Sequence, residues 1–285
     1  MKSIRYLIVC LLCSIAPALY AAEAQDSINR AIYDRVSREV SAYSDSTLPS
    51  TMMAIARRMI GTPYVAGTLE QQPETLRVYL DKTDCILFVE LCTAWAYTLH
   101  GYALADRHKA AATYDQLCCN IRYLRYRNGQ VNGYTSRIHY TSEWIQQAQS
   151  SGLMHEITQE QGEEIEQTFS WMTTHSTRYA ALKDDTAAQQ RIREIEERLT
   201  LSGPYYRLTQ EQLRTGKVQQ WLHEGDIICF IDSHEGLDIA HVALAAKDQG
   251  EWHFIHASMR GGKVMLEPTL LSEYAKNGIR VIRVD

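Results

Sequence analysis

The C-terminal part of this chain is cut into five short β-forming runs, and this punctuation limits the fold more than any other feature. The runs are Asp226–Ile231, Ile239–Ala246, Trp252–Ala257, Lys263–Leu266 and Gly278–Val284. Turn-forming clusters separate the first four: Asp232-Ser233-His234-Glu235-Gly236, Gln249-Gly250 and Gly261-Gly262. Short runs with such turns predict a meander of antiparallel strands. The N-terminal half reads differently. Ile28 to Ala42 has helical spacing, Thr51 to Ile60 continues as a second helix, and Gly61-Thr62-Pro63 stops it. Cys85 to Leu99 is apolar and long enough to be a buried helix ended by His100-Gly101. Helices first and strands last predict an α+β fold.

Between these parts the pattern is weaker. His108 to Leu117 reads as a helix, and Asn120 to Trp144, rich in Tyr, Arg, Asn and Gly, as strand and loop. A short helix is expected from Thr141 to about Ser150 and a solvated one over Thr186 to Leu199. No linker divides the chain, so 23–285 is expected to be one domain with a helical and loop insertion around 101–222.

Composition narrows the function classes. Of 285 residues, 45% are hydrophobic and 22% charged, enough apolar mass for a packed core and against general disorder. The net charge is −5 with no basic block, which argues against a nucleic-acid binder. The chain has 17 Tyr and only 4 Phe, so its rings suit a polar ligand as well as a core.

Residues 1–22 read as a secretory signal peptide. Lys2 and Arg5 open it, an apolar run from Tyr6 to Ile15 follows, and Ala16, Ala18, Ala21 and Ala22 supply small residues for cleavage. The run is shorter than the roughly 20 residues that span a bilayer. Cys10 and Cys13 lack the small preceding residue of a lipidation site, so a lipoprotein is the lesser expectation. An exported, periplasmic protein without stable membrane insertion is expected. Removal of Lys2 and Arg5 takes the charge from −5 to −7 and leaves Cys85, Cys92, Cys118, Cys119 and Cys229. Five is odd, so at least one thiol is unpaired or reactive. Cys92, Cys118 and Cys229 read as small buried hydrophobes.

Asp84-Cys85 stands where the buried helix begins. A helix N-terminus favours a negative charge by about 0.3–1 kcal/mol, which helps a thiolate without making one. A base is therefore needed. Of the ten histidines, His241 differs, because it interrupts the apolar run Ile239 to Ala245. Strand alternation puts it on one face with Ala243 and Ala245, whose small size leaves room for another element such as the Cys85 helix. His256 lies in the next strand, close enough in register to sit beside it. Cys85 as nucleophile, His241 as base and His256 as the orienting group form a triad by this logic. Rates are then expected to show a limb in the ordinary histidine range. Zinc is a competing use of these residues, but no His-Glu-x-x-His or Cys-x-x-Cys spacing supports it. No metal or organic cofactor is expected.

These motifs resemble the NlpC/P60-type cell-wall cysteine amidases, which have a papain-like fold. Gly61-Thr62-Pro63-Tyr64-Val65-Ala66-Gly67-Thr68 resembles their opening motif, and Asp84-Cys85 their nucleophile dipeptide. Gly225-Asp226-Ile227-Ile228, Ala240-His241-Val242-Ala243-Leu244 and Ile255-His256-Ala257-Ser258 are similar to their turn and two histidine strands. The branch called domain of unknown function 1460 is more similar still. It shares Gly67-Thr68-Leu69-Glu70, Asp84-Cys85-Ile86-Leu87-Phe88-Val89-Glu90, Gly133-Tyr134-Thr135-Ser136-Arg137-Ile138-His139-Tyr140 and Gly236-Leu237-Asp238-Ile239-Ala240-His241. The resemblance covers about residues 50 to 285, with Leu87 where a small hydroxyl residue is expected.

The resemblance implies an N-acetylmuramoyl-L-alanine amidase acting on peptidoglycan fragments, small anhydro-muropeptides in particular. It implies that the Tyr64 hydroxyl sits near the oxyanion, beside the N–H of Cys85. Asp84 either shapes the substrate pocket or caps the helix. Tyr134, Ser136, Arg137 and His139 are expected to contact the sugar, and loss of the Arg137 side chain to weaken turnover without unfolding the protein. The alternatives are a γ-D-glutamyl-diaminopimelate endopeptidase of the same fold and an inactive peptidoglycan-binding module.

Overall fold

The computed structural model describes residues 22–41 and 47–284; the expected export signal, up to Ala21, and Ala42 lie outside the described residues. Its architecture is a mixed one, helices packed on an antiparallel sheet. Helix α1 (22–40) presents Tyr33, Val36 and Val40 inward on one stripe. Helix α2 (Leu48–Arg58) opens on Thr47, whose hydroxyl accepts from the Ser50 N–H, with Pro49 in its first turn. Helix α3 (Cys85–Leu99) is buried from Leu87 to Thr98, which is why its sequence is apolar on every side. No helix among the described residues is long and apolar enough to cross a membrane.

Helix α4 (Tyr114–Arg125) departs from expectation. His108–Lys109 forms a two-residue strand against Tyr102–Ala103, and the helix begins after Thr113, whose hydroxyl accepts from the Gln116 N–H. The stretch from Asn120, expected as strand and loop, stays helical to Arg125, because Leu117, Ile121 and Leu124 form one buried face. Helices α5 (Thr141–Ser150) and α6 (Thr186–Leu201) lie where their patterns placed them.

The six-stranded sheet is built from β1 (Met154–Glu156), β2 (Ile227–Ile231), β3 (Ile239–Asp248), β4 (Glu251–Ser258), β5 (Lys263–Leu266) and β6 (Ile279–Val284). Its order is β1-β6-β2-β3-β4-β5, antiparallel throughout. The first four C-terminal runs form the meander. The last returns to the free edge of β2, and the middle segment adds β1 outside it.

Both faces of the sheet are covered. Val242, Leu244, Ala246, Ile255 and Ala257 pack with α3, while Ala243, Ala245, Phe230 and Phe254 belong to a core on the opposite face. Double burial explains the unbroken apolar run Ile227 to Phe230. It also corrects one expectation, since α3 packs on the face opposite His241, Ala243 and Ala245. Tyr134, Tyr140, Phe169 and Leu199 build a third core within the middle segment.

Candidate active site

The site forms where two neighbouring strands part. Strands β3 and β4 pair from Asp248–Glu251 to Leu244–Ile255 and no further. Beyond Leu244 the edge of β3 is released, and the start of α3 meets it there. Cys85 is the first residue of α3, after the cap Asp84, whose Oδ1 accepts from the Leu87 N–H at 3.0 Å. The Val242 N–H, freed from the ladder with β4, is directed at the Cys85 sulfur. The gap in the sheet therefore seats the thiol, although the histidines approach from the opposite face.

His241 and His256 bridge the same gap. Nε2 of His241 lies 2.6 Å from Nδ1 of His256, with the rings nearly perpendicular at 85°. Phe230, Phe254 and Tyr274 surround the pair with aromatic surface. Nε2 of His256 is 3.3 Å from a carboxylate oxygen of Glu267, within ion-pair reach but off hydrogen-bond alignment. This contact engages Nε2 of His241 and leaves its Nδ1 over. Cys85 and His241 line one cavity of about 240 Å³. His241 also lines a second cavity of about 430 Å³, with His256, Tyr274, Arg260 and Lys276.

Burial controls the charges. It pushes the Cys85 thiol up to about 11, with the Asp84 carboxylate adding to the effect; backbone N–H groups of Val242 and Ile86 oppose it. Burial, then the neighbouring His256, brings His241 down to about 3. The resting pair is a neutral thiol and a neutral imidazole, so the favourable helix N-terminus is outweighed here by desolvation. His256 is likewise lowered by burial, with Glu267 acting against it.

The other expected residues divide. Tyr64 is half-buried on a loop bridged to Thr83, and burial, then the neighbouring Cys85 and Asp84, raises its phenol. Asp84 is engaged as the helix cap, and burial raises its carboxyl despite the nearby Arg125 and Arg137. Arg137 and His139 line the Cys85 cavity. Tyr134 and Ser136 do not: the Tyr134 ring lies behind, 4.4 Å from the His139 ring and 5.0 Å from the Arg137 guanidinium. Ser136 closes a turn, donating to the Gly133 carbonyl.

Arg137 is also a structural group. It is buried and pairs with Glu70 at 2.9 Å and Glu74 at 3.3 Å. Its removal would leave the buried Glu74 with the Tyr126 hydroxyl alone, while the half-exposed Glu70 turns to solvent, so a loss of stability is expected beside any loss of turnover.

Several contributors escaped sequence reasoning. Glu90 and Arg125 form a buried ion pair on the cavity wall, with Nε 2.9 Å from Oε2. The i+5 position of Glu90 after Cys85, inside an apolar helix, was the available signal. Trp144, Tyr140 and Leu69 complete that wall. Glu267 and Tyr274 lie in a polar C-terminal stretch that carries no pattern. Among the described residues no group of three or more His, Cys, Asp or Glu side chains is gathered to hold a metal ion. Cys92 and Cys229 are buried, Cys118 is half-buried and Cys119 exposed, and all are free thiols.

Comparison with known proteins finds one matching family model and several solved structures of similar fold. No curated protein matches the chain. A solved N-acetylmuramoyl-L-alanine amidase from Bacteroides uniformis ATCC 8492 is 28% identical, with a TM-score of 0.75, over 84% of this chain and 99% of that one. A Bacteroides fragilis protein described as a candidate xylanase is 31% identical, with a TM-score of 0.69, over 80% of this chain and 98% of that one. A Legionella pneumophila str. Philadelphia 1 protein of the family of unknown function 1460 shares the fold at 20% identity and a TM-score of 0.64, over 94% and 96% of the two chains. The N-acetylmuramoyl-L-alanine amidase-like family model matches residues 54–279, most of the chain, and the protein belongs to that family.

Proposed function

We propose that the protein is a cysteine-dependent N-acetylmuramoyl-L-alanine amidase of papain-like, NlpC/P60 type. The observation that carries this reading is the 2.6 Å contact between His241 and His256 beside a cavity that His241 shares with Cys85. The bond cut is the amide joining the lactyl group of N-acetylmuramic acid to L-Ala. Peptidoglycan fragments, the 1,6-anhydro form in particular, are the substrate. The protein works after export, in the periplasm, and residues 101–222 are an insertion in a single catalytic domain.

His241 Nδ1 takes the Cys85 proton as the sulfur attacks the lactyl carbonyl. The developing oxyanion is held by the Cys85 N–H and the Tyr64 hydroxyl. His241⁺ then gives its proton to the leaving L-Ala amine, and the peptide departs. Water, deprotonated by the same imidazole, releases the muramyl acid from the thioester. From a neutral resting pair the proton moves as the sulfur attacks, so the negative charge passes to the oxyanion and its donors instead of resting on a buried thiolate.

Digestion of defined muropeptides, read by mass spectrometry, tests the reading. Disaccharide-peptide is expected to yield sugar and intact peptide, and free stem peptide to be a poor substrate. A cut within the stem peptide would replace the amidase with an endopeptidase. No cleavage by the parent protein would leave a binding module.

A further inference from the structure

Which ring nitrogen carries a proton decides whether His241 can be a base. A neutral imidazole has one N–H and one bare nitrogen. Nε2 of His241 faces Nδ1 of His256 at 2.6 Å, so one must carry the proton and the other must be bare. If His256 donates from Nδ1, then Nε2 of His241 is bare and its Nδ1 is protonated. That ring offers no base to the thiol. If His241 donates from Nε2, its Nδ1 is bare and available. His256 then carries its proton on Nε2.

The second arrangement needs an acceptor for a buried N–H. The His256 side chain is 2% exposed, and Glu267 Oε2 lies 3.3 Å from its Nε2. That nitrogen makes no aligned hydrogen bond among the described residues, and the Glu267 carboxylate is the acceptor within reach of it. The groups around His256 are His241, Glu267 and the rings of Phe254 and Tyr274. Glu267 is held in place from both sides. Its Oε1 accepts from the Thr269 N–H at 3.1 Å, and its own N–H donates to the Phe254 carbonyl at 2.9 Å, on the strand of His256. An ionised carboxylate only accepts, so it favours N–H at Nε2 and disfavours a bare nitrogen there.

We infer that Glu267 is a positioning residue that sets the tautomers of both histidines, so that the bare nitrogen of the pair falls on His241 Nδ1. It does not line the cavity that holds Cys85. Its effect passes through His256 to His241, as a carboxylate orients an imidazole, but across two rings. The inference rests on the proposed role of His241 as base.

Long-range proton–nitrogen correlation spectra of the free protein, labelled with ¹⁵N-histidine, read the tautomers directly. His241→Gln and His256→Gln variants assign the signals. Both rings are expected as the Nε2–H form in the parent protein. Glu267→Leu is expected to move His256 off that form. It should lower kcat on disaccharide-peptide roughly ten- to a hundredfold with KM unchanged, since an orienting group is worth less than the base. Glu267→Gln keeps an acceptor oxygen and should restore most of both. A parent spectrum with His256 protonated at Nδ1 would overturn the inference, even if Glu267→Leu fails to fold. Unchanged tautomers and kcat in a folded Glu267→Leu protein would do the same. The spectra need no substrate, so they separate this inference from the amidase reading, which fails only if the parent protein does not cleave the muramyl–alanine bond.

Discussion

His241 and His256 meet across a gap in their own sheet: Nε2 and Nδ1 are 2.6 Å apart where β3 and β4 have ceased to pair. The same parting frees the Val242 N–H for Cys85. An intact ladder at this point would occupy that N–H and close the space the thiol uses. The site is thus a local failure of sheet pairing, held open by α3 on one face and by an aromatic cluster on the other.

Cys85→Ala is expected to remove hydrolysis of disaccharide-peptide, by at least about 10³-fold, with little change in thermal unfolding. The methyl fills much of the thiol's space, and the cap Asp84 is untouched. A chelator is expected to leave the parent rate unchanged. Activity that survived the substitution but vanished with the chelator would remove the cysteine mechanism.

His241→Ala is expected to cost roughly 10²–10⁴-fold in kcat, the worth of a general base, and His256→Ala less. Steady-state kinetics on one muropeptide compare the two. Small and equal losses would mean that both rings serve only as packing.

The pH dependence should depart from that of an ordinary histidine. With His241 near 3 and Cys85 near 11, the neutral pair persists across the working range. The acid limb of kcat/KM is therefore expected well below pH 6.5, not at the ordinary histidine value inferred from sequence. A limb centred at 6.5 would show that the site is wetter than its packing implies.

Stability should fall in acid for the same reason. Burial brings both His241 and His139 from 6.5 to about 3. Between those values the unfolded chain binds more protons than the folded one, so stability drops as pH falls through this window. The slope is up to about 1.4 kcal/mol per pH unit for each ring. Urea unfolding of the parent and of His139→Gln at pH 7, 6, 5 and 4 reads this; the variant's profile should be flatter, and parallel profiles would refute the account.

The Glu90–Arg125 pair is nearly dry, at 3% and 7% side-chain exposure. Arg125→Met should destabilise by about 3–5 kcal/mol, because it leaves a buried carboxylate unpaired. Adding Glu90→Gln should recover part of that loss. Calorimetric unfolding of the single and double variants checks it, and additive losses would show that the two groups do not act as a pair.

Much of this protein is legible in one dimension. Period and punctuation placed α3, α5 and the C-terminal strands, because apolar spacing and turn residues are local properties. The lone histidine in an apolar strand and the Asp-Cys at a helix start pointed to the candidate site for the same reason. Helix α4 was displaced because the cap at Thr113 and the buried face of Leu117, Ile121 and Leu124 outweigh a polar composition. Which face of β3 meets α3, where β3 and β4 part, and that Glu267 stands behind His256 depend on residues far apart in the chain. So does protonation: the thiol and imidazole take their charge state from burial, a property of the packed interior that no local run of residues contains.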